Sequence, residues 1–259
     1  MRVKTRHQAL GLALSLVVGI TCTTPVWAAS YELRIYTDDN PQDGEAELEL
    51  LMSVAKPKPS HDGPHGRVTQ TLMEYGYGLG HGWAVGLELP TAHTKGHHTL
   101  EGLKAEVQYV AAHHMTHGGY WGVRGDWGYT TTPYDTQGSN SMGINPILGY
   151  RWQTWHLAVN PSIELPLSGS NRKAQFQPSA KISKAITGSG QLGLEYFSSW
   201  GAVSAVLPQR QRDESIYLVW DQQGTNTTRW NLGLGKPRNP TGGSVDQWVV
   251  KAGIHFDLD

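Results

Sequence analysis

Charged residues recur at every second position beside apolar neighbours along much of this chain, and that setting limits the chemistry open to them. The carboxylates Glu74, Glu88, Glu106, Asp126, Glu164 and Glu195 each stand in an alternating stretch, as do the cationic Arg124, Arg151, Lys181, Arg229 and Lys251. Glu47, Glu49, Lys104 and Lys173 follow the same pattern. On a strand, such spacing sends the charges to one face and the apolar residues to the other. Charges of both signs around a narrow bore can pair across it, fill it, or set up a transverse field along a water path. For these candidate lumen-lining residues, structural plugging and solute conduction are both open.

Histidines offer a different chemistry, since neutral imidazole is a good ligand for zinc, copper or nickel. His61 and His65 fall in one break between alternating stretches, and His93, His97 and His98 in the next such break on the same side. His113, His114 and His117 occupy a third break. Two neighbouring loops could bring the first five together as candidate metal ligands. Their spacing matches no established metal motif, so no metal or cofactor is expected.

The elements that must position all these groups are strands. Residues 71–91, TLMEYGYGLGHGWAVGLELPT, carry apolar side chains at alternate positions on both sides of a glycine-rich break. Alternating runs of this kind recur at 45–55, 99–111, 120–130, 141–151, 155–167, 172–184, 190–200, 214–222, 227–235 and 245–258. With the two halves of 71–91 they make twelve. No stretch has 18 consecutive apolar residues, and none has a convincing helical period.

The breaks sort by parity. After the even-numbered strands they are short, as in GLGHG, WQT, TGSG and QGTNT; after the odd-numbered ones they are mostly longer, as at 56–67, 201–213 and 236–244. Tight turns on one side and longer loops on the other are the mark of an up-and-down barrel in an outer membrane. A soluble sandwich has no reason to divide its loops this way. The expected fold is therefore all-β: a single up-and-down antiparallel transmembrane β-barrel of about 12 strands.

Within that frame Trp83, Val85, Leu87 and Leu89 face lipid while Ala84, Gly86 and Glu88 face water. Trp248, Val250, Ala252, Ile254, Phe256 and Leu258 face lipid on the last strand, opposite Lys251, His255 and Asp257. Closure pairs every backbone group, as hydrocarbon requires. Trp83, Trp121, Trp152, Trp155, Trp220 and Trp230 fall beside short turns, and Trp127, Trp200 and Trp248 toward the long-loop end, as two aromatic girdles would place them. Pro146, Pro161 and Pro178 lie inside strands and each removes a ladder donor, so bulges are expected there. YELRIYT at 31–37 also alternates, and suits an extra strand, a periplasmic tether or a plug in the lumen.

The chain begins with a basic MRVKTRHQ, a twelve-residue apolar run and a small-residue stretch ending at Ala28. This reads as a secretory signal peptide, residues 1–28, too short to span a bilayer as a helix, which takes about 20 apolar residues. An N-terminal periplasmic segment, 29–44, and a barrel, 45–259, would follow. Cleavage removes the sole cysteine, Cys22, and with it any disulfide or thiolate site. It also leaves 18 basic against 22 acidic side chains, a balance that argues against a nucleic-acid partner.

Three pieces carry a resemblance to a known family. EYGYGLGHGWAVGLELP at 74–90 resembles the hairpin signature of the outer-membrane barrels named for the meta-pathway of phenol degradation; NPSIELPLSG at 160–169 is similar to that family's later strand leading to an external loop, and it echoes GLELPTAH at 86–93. KAGIHFDL at 251–258 looks like the C-terminal signal read by the outer-membrane assembly machinery, although Asp259 departs from the usual terminal aromatic residue. The resemblance implies a channel or facilitator for small, often hydrophobic or aromatic, solutes, with outer-membrane lipids and the assembly machinery as partners and no enzyme activity. The alternatives are a His-loop metal-binding barrel and an outer-membrane lipid hydrolase. The latter would use a Ser and His on the lipid-facing wall, for which Tyr109, His113 and the GSNS of 138–141 are the available groups. No nucleophile stands at the expected spacing after His113, and GSNS reads as loop.

Overall fold

The computed structural model of the chain describes residues 34–55, 67–94, 97–111, 116–132, 135–169, 172–224, 227–238 and 248–258. Chain order runs β1 (Ala46–Ala55), β2 (Val68–Gly80), β3 (Trp83–Thr94), β4 (His97–Leu100), β5 (Gly102–Val110), β6 (Gly118–Thr132), β7 (Asp135–Trp152) and β8 (Trp155–Pro166). It continues with β9 (Gln175–Ala185), β10 (Gly190–Ser199), β11 (Gly201–Ala202), β12 (Ala205–Val206), β13 (Asp213–Gln223), β14 (Thr228–Arg238) and β15 (Val249–Leu258), with one 3₁₀ turn at Gln209–Gln211.

All but β4, β11 and β12 form the wall, a closed antiparallel barrel of 12 strands. Each wall strand pairs with the next, and β15 returns to β1 with Leu48 opposite Phe256 and Leu50 opposite Ile254. No edge is left to aggregate or to expose backbone groups to hydrocarbon. β4 pairs antiparallel with the Thr91–Thr94 end of β3, and β11 touches β9 through the pair Ala202 and Gln175. Among the described residues no helix is long and apolar enough to cross a membrane; the crossing is made by strands.

Side-chain parity makes the barrel inside-out relative to a soluble protein. Along β2 and β3, Met73, Tyr75, Tyr77, Trp83, Val85 and Leu87 point outward and exposed, whereas Glu74 and Glu88 are buried within. The contrast is sharp in one dipeptide, Leu87 being 50% exposed and Glu88 1%. Acyl chains solvate the first kind of residue and water or counter-charges the second. Aromatic rings collect at the short-turn end, with centroid separations of 4.9 Å for Trp83–Tyr109, 5.6 Å for Tyr109–Trp121 and 6.2 Å for Trp152–Trp155. The β2–β3 turn at that end needs left-handed backbone at Gly80, His81 and Gly82, φ 85°, 54° and 87°, which two glycines supply without a Cβ penalty.

Two local expectations are corrected. The strands flanking 133–134 run to Thr132 and from Asp135, so GSNS at 138–141 is part of β7 rather than a loop. The prolines bring no bulge either. Between β7 and β8 the ladder lapses from Ile144–Ile163 to Leu148–Val159, three residues on each side, so register is unchanged. Pro161 faces Pro178 across an unbroken β8–β9 ladder. The missing N–H groups are accommodated by omitted ladder bonds, and the Asn160 side chain donates to the Pro146 carbonyl at 3.4 Å.

Candidate functional site

The chain ahead of β1 lies inside the wall. Its described part begins at Arg34 at mid-height and descends to the short-turn mouth, where it joins β1. The contacts that show this come from all round the barrel. Arg34 meets Glu49, Glu74 and Glu88 on β1, β2 and β3. Asp38 pairs with Arg151 on β7, and Asp39 lies 3.4 Å from Arg229 on β14. Asn40 donates to the Gly82 carbonyl at 2.8 Å, and Gln108 on β5 donates to the Asp39 carbonyl at 3.3 Å. Asp38 is fully buried. Of the three roles open to 31–37, the part from Arg34 onward has the position of a plug.

Gly78 is what lets the segment turn inward. A Cβ there would lie 1.8 Å from the Gln42 carbonyl oxygen, and the Gly78 backbone bonds Gly44 and Glu45 at 3.0 and 2.9 Å. Any side chain would collide with the passing backbone.

Register explains the charge arrangement above it. Glu49 stands opposite Glu74, Glu74 opposite Glu88, and Glu88 opposite Lys104, one row across four strands. Glu106 stands opposite Asp126 beside that row. Like charges directly opposite one another repel, so three glutamates in a row require cations between them. Arg34 supplies one: its Nη1 donates to Glu49 and Glu74, and its Nη2 to Glu88 at 3.0 Å. Arg124 supplies another, donating to Glu88 at 2.5 Å and to Glu106. Lys104 lies 3.5 Å from Asp126, which also accepts from Asn145 at 2.8 Å. The Tyr36 ring lies near both guanidiniums, its centroid 4.8 Å from that of Arg34 and 4.3 Å from that of Arg124.

A second cluster occupies the opposite wall. Glu195 on β10 takes Lys251 from β15 and Lys181 from β9, the latter at 3.1 Å. Lys181 also reaches Asp221 at 2.8 Å, and Asn231 donates to the same carboxylate at 2.6 Å. Nearer the short-turn mouth, Arg229 contacts His255 at 2.5 Å and Asp257 at 3.4 Å, and His255 lies 3.2 Å from Glu47. The Tyr120 hydroxyl and His156 Nε2 are 2.6 Å apart, both buried. Between these walls and the inner segment is a cavity of about 710 Å³.

The candidate residues thus resolve into groups. Glu74, Glu88, Glu106, Arg124 and Asp126 join in one cluster and Lys181, Glu195 and Lys251 in another. Arg151 and Arg229 hold the inner segment. Glu164 stands apart near the long-loop rim, accepting from Gln177 at 3.2 Å. His61 and His65 lie outside the described residues, as does the side chain of His97; the rings of His93 and His98 are 4.0 Å apart and tilted by 32°, where β3 pairs with β4. Two other groups, Glu47–His255–Asp257 and Glu74–Glu88–Glu106, could each offer a metal three ligand atoms. Guanidiniums of the chain already engage these oxygens and nitrogens: Arg229 contacts His255 and Asp257 in the first group, while Arg34 contacts Glu74 and Glu88, and Arg124 contacts Glu88 and Glu106, in the second. Tyr109 packs at an angle against Trp83 and edge-on to Trp121 in the outer girdle, and His113 lies outside the described residues.

Arg34, Tyr36, Asp38 and Asn160 were not among the residues singled out. The one sequence signal was the alternation in YELRIYT, which does not say what the segment alternates against.

No family profile matches the chain, and no curated protein does. Solved structures do. An outer-membrane channel from Pseudomonas putida F1 matches with TM-score 0.61 at 10% identity, over 87% of this chain and 100% of that one. A KdgM porin matches with TM-score 0.53 at 8% identity, over 82% and 99%, and the same porin has been solved in complex with disordered oligogalacturonate. At such identities the likeness is one of fold, and it is the fold of outer-membrane barrels. With its apolar exterior and polar lumen, the protein is an outer-membrane β-barrel.

Proposed function

We propose that the protein is an outer-membrane channel or facilitator for small solutes, with its own N-terminal segment as the internal restriction. The observation that carries this is the charged cavity of about 710 Å³ that remains between the wall and residues 34–42. A barrel built only for anchorage gains nothing from such a space, since filling a bore with packed side chains is the cheaper solution. The inner segment is tied by ion pairs and hydrogen bonds rather than by a large apolar surface, a kind of contact that water entering the lumen can replace. Twelve strands fall between the filled eight-stranded barrel and the open sixteen-stranded porin, which suits a narrow path. The resemblance to phenol meta-pathway barrels extends the reading to solutes with a hydrophobic or aromatic body, and β15 would be the strand presented to the assembly machinery.

The test is single-channel recording in planar bilayers with the full mature chain and with a version lacking residues 29–44. Discrete conductance steps that enlarge on deletion are expected. Absence of any step from either protein, with both migrating as folded heat-modifiable barrels, would overturn the reading.

A further inference from the structure

We infer that the luminal path selects cations, and that the solute it serves carries a guanidinium or ammonium group. This rests on the channel reading above and adds the solute's charge. Three observations converge on it.

The cavity is lined by nine carboxylates, those of Asp39, Glu45, Glu47, Glu49, Glu74, Glu106, Glu195, Asp221 and Asp257 among the described residues. Five cationic side chains face them: Arg34, Arg151, Lys181, Arg229 and Lys251. Setting aside the inner segment removes one cation and two carboxylates and leaves seven against four, so the wall itself carries the excess. A water path between low-dielectric walls concentrates counter-ions of the opposite sign.

The glutamate row also shows which group it holds. Glu49, Glu74 and Glu88, all on the wall, converge on the guanidinium of Arg34. Carboxylates converging on a planar fork are recognition elements for a guanidinium. Arg34 is therefore a tethered ligand in a cradle made by the wall.

The cradle also depends on its occupant. Without Arg34, the cations that remain against Glu88, Glu106 and Asp126 among the described residues are Arg124 and Lys104. Three glutamates opposite one another across the strands would then draw a replacement cation from solution. A solute bearing such a group competes with Arg34 for the same oxygens and favours the state in which the segment has let go, by as much as its affinities for the two states differ.

The experiment is a bilayer recording of the full mature protein under a tenfold potassium chloride gradient, followed by titration with agmatine, a guanidinium-bearing dication. Cation preference of several-fold is expected, with agmatine modulating the current and 4-guanidinobutyrate, which has no net charge, doing so at least tenfold more weakly. Arg34→Ala, which leaves every wall residue in place, should lower the half-effective agmatine concentration several-fold. The double variant Glu49→Gln/Glu74→Gln should raise it, with heat-modifiable migration confirming that it folds. A preference for chloride overturns the inference while leaving the channel reading intact, as does an agmatine response that neither variant changes. Failure to conduct at all overturns both.

Discussion

Tyr36 and Asn160, 124 positions apart, pair as two strand residues would: the Tyr36 N–H donates to Asn160 Oδ1 at 2.8 Å, and Asn160 Nδ2 donates to the Tyr36 carbonyl at 3.0 Å. Asn160 is fully buried on the inner face of β8. Its amide presents a donor and an acceptor side by side, as a backbone does, so an irregular segment in the lumen finds its main-chain partners on a side chain.

Asn160→Leu removes both partners from the part-buried Tyr36 N–H and C=O. The expected cost is about 1–3 kcal/mol per orphaned group, large enough to shift the segment out of its seat without touching the wall ladders. The check is hydrogen exchange of the Tyr36 amide alongside that of the β8 amides. Faster exchange at the first and unchanged exchange at the second is the expected result; equal protection of Tyr36 in both proteins would show that Asn160 does not hold it.

Gly78 makes a cleaner wedge. With a Cβ 1.8 Å from the Gln42 carbonyl oxygen, Gly78→Val has no room while residues 41–45 keep their path. The outcome expected is a folded barrel whose inner segment is cut by an added protease from the short-turn side many times faster than in the parent. Unaltered resistance would mean that the segment passes Gly78 differently.

Leu87 tests which solvent the wall meets. It is half exposed in mid-strand, opposite Tyr75 on one side and Ala105 on the other. Leu87→Arg should destabilise the barrel in lipid vesicles by roughly 2–4 kcal/mol, the scale for a cation near the bilayer midplane. Urea unfolding in vesicles measures it. A change within about 0.5 kcal/mol, the range of ordinary surface substitutions, would place this face in water.

Closure depends on the end of β15. Ile254, Phe256 and Leu258 pair with Leu50, Leu48 and Ala46 on β1, while Ile254 and Phe256 also pair with Trp230 and Thr228 on β14. Truncation after Gly253 leaves the first half of β1 paired with β2 alone and opens an edge that hydrocarbon does not tolerate. Loss of the heat-modifiable form is expected. Retention of it at parental yield would mean that the barrel closes without those pairs.

Much of the wall was legible because alternation is a local property. Glu74 must face away from Met73 and Tyr75 whatever else the chain does, so residues 71–91 alone announce one polar and one apolar face. Loop parity then supplied direction, and the twelve alternating runs correspond one to one with the wall strands, differing at their ends. The prolines misled because a lost donor suggested an extra residue in the ladder, whereas register survived by leaving bonds unmade around Pro146 and Pro161.

What the sequence by itself determined is therefore the sorting of side chains into two solvents, since a period of two needs no knowledge of neighbours. Only the tertiary structure decided which charges meet. Arg34 reaches Glu49, Glu74 and Glu88 over separations of 15, 40 and 54 residues, because strand register aligns the glutamates and chain entry at Gly78 brings the cation to them. That alignment is set by hydrogen bonding between strands, which no single stretch of residues contains.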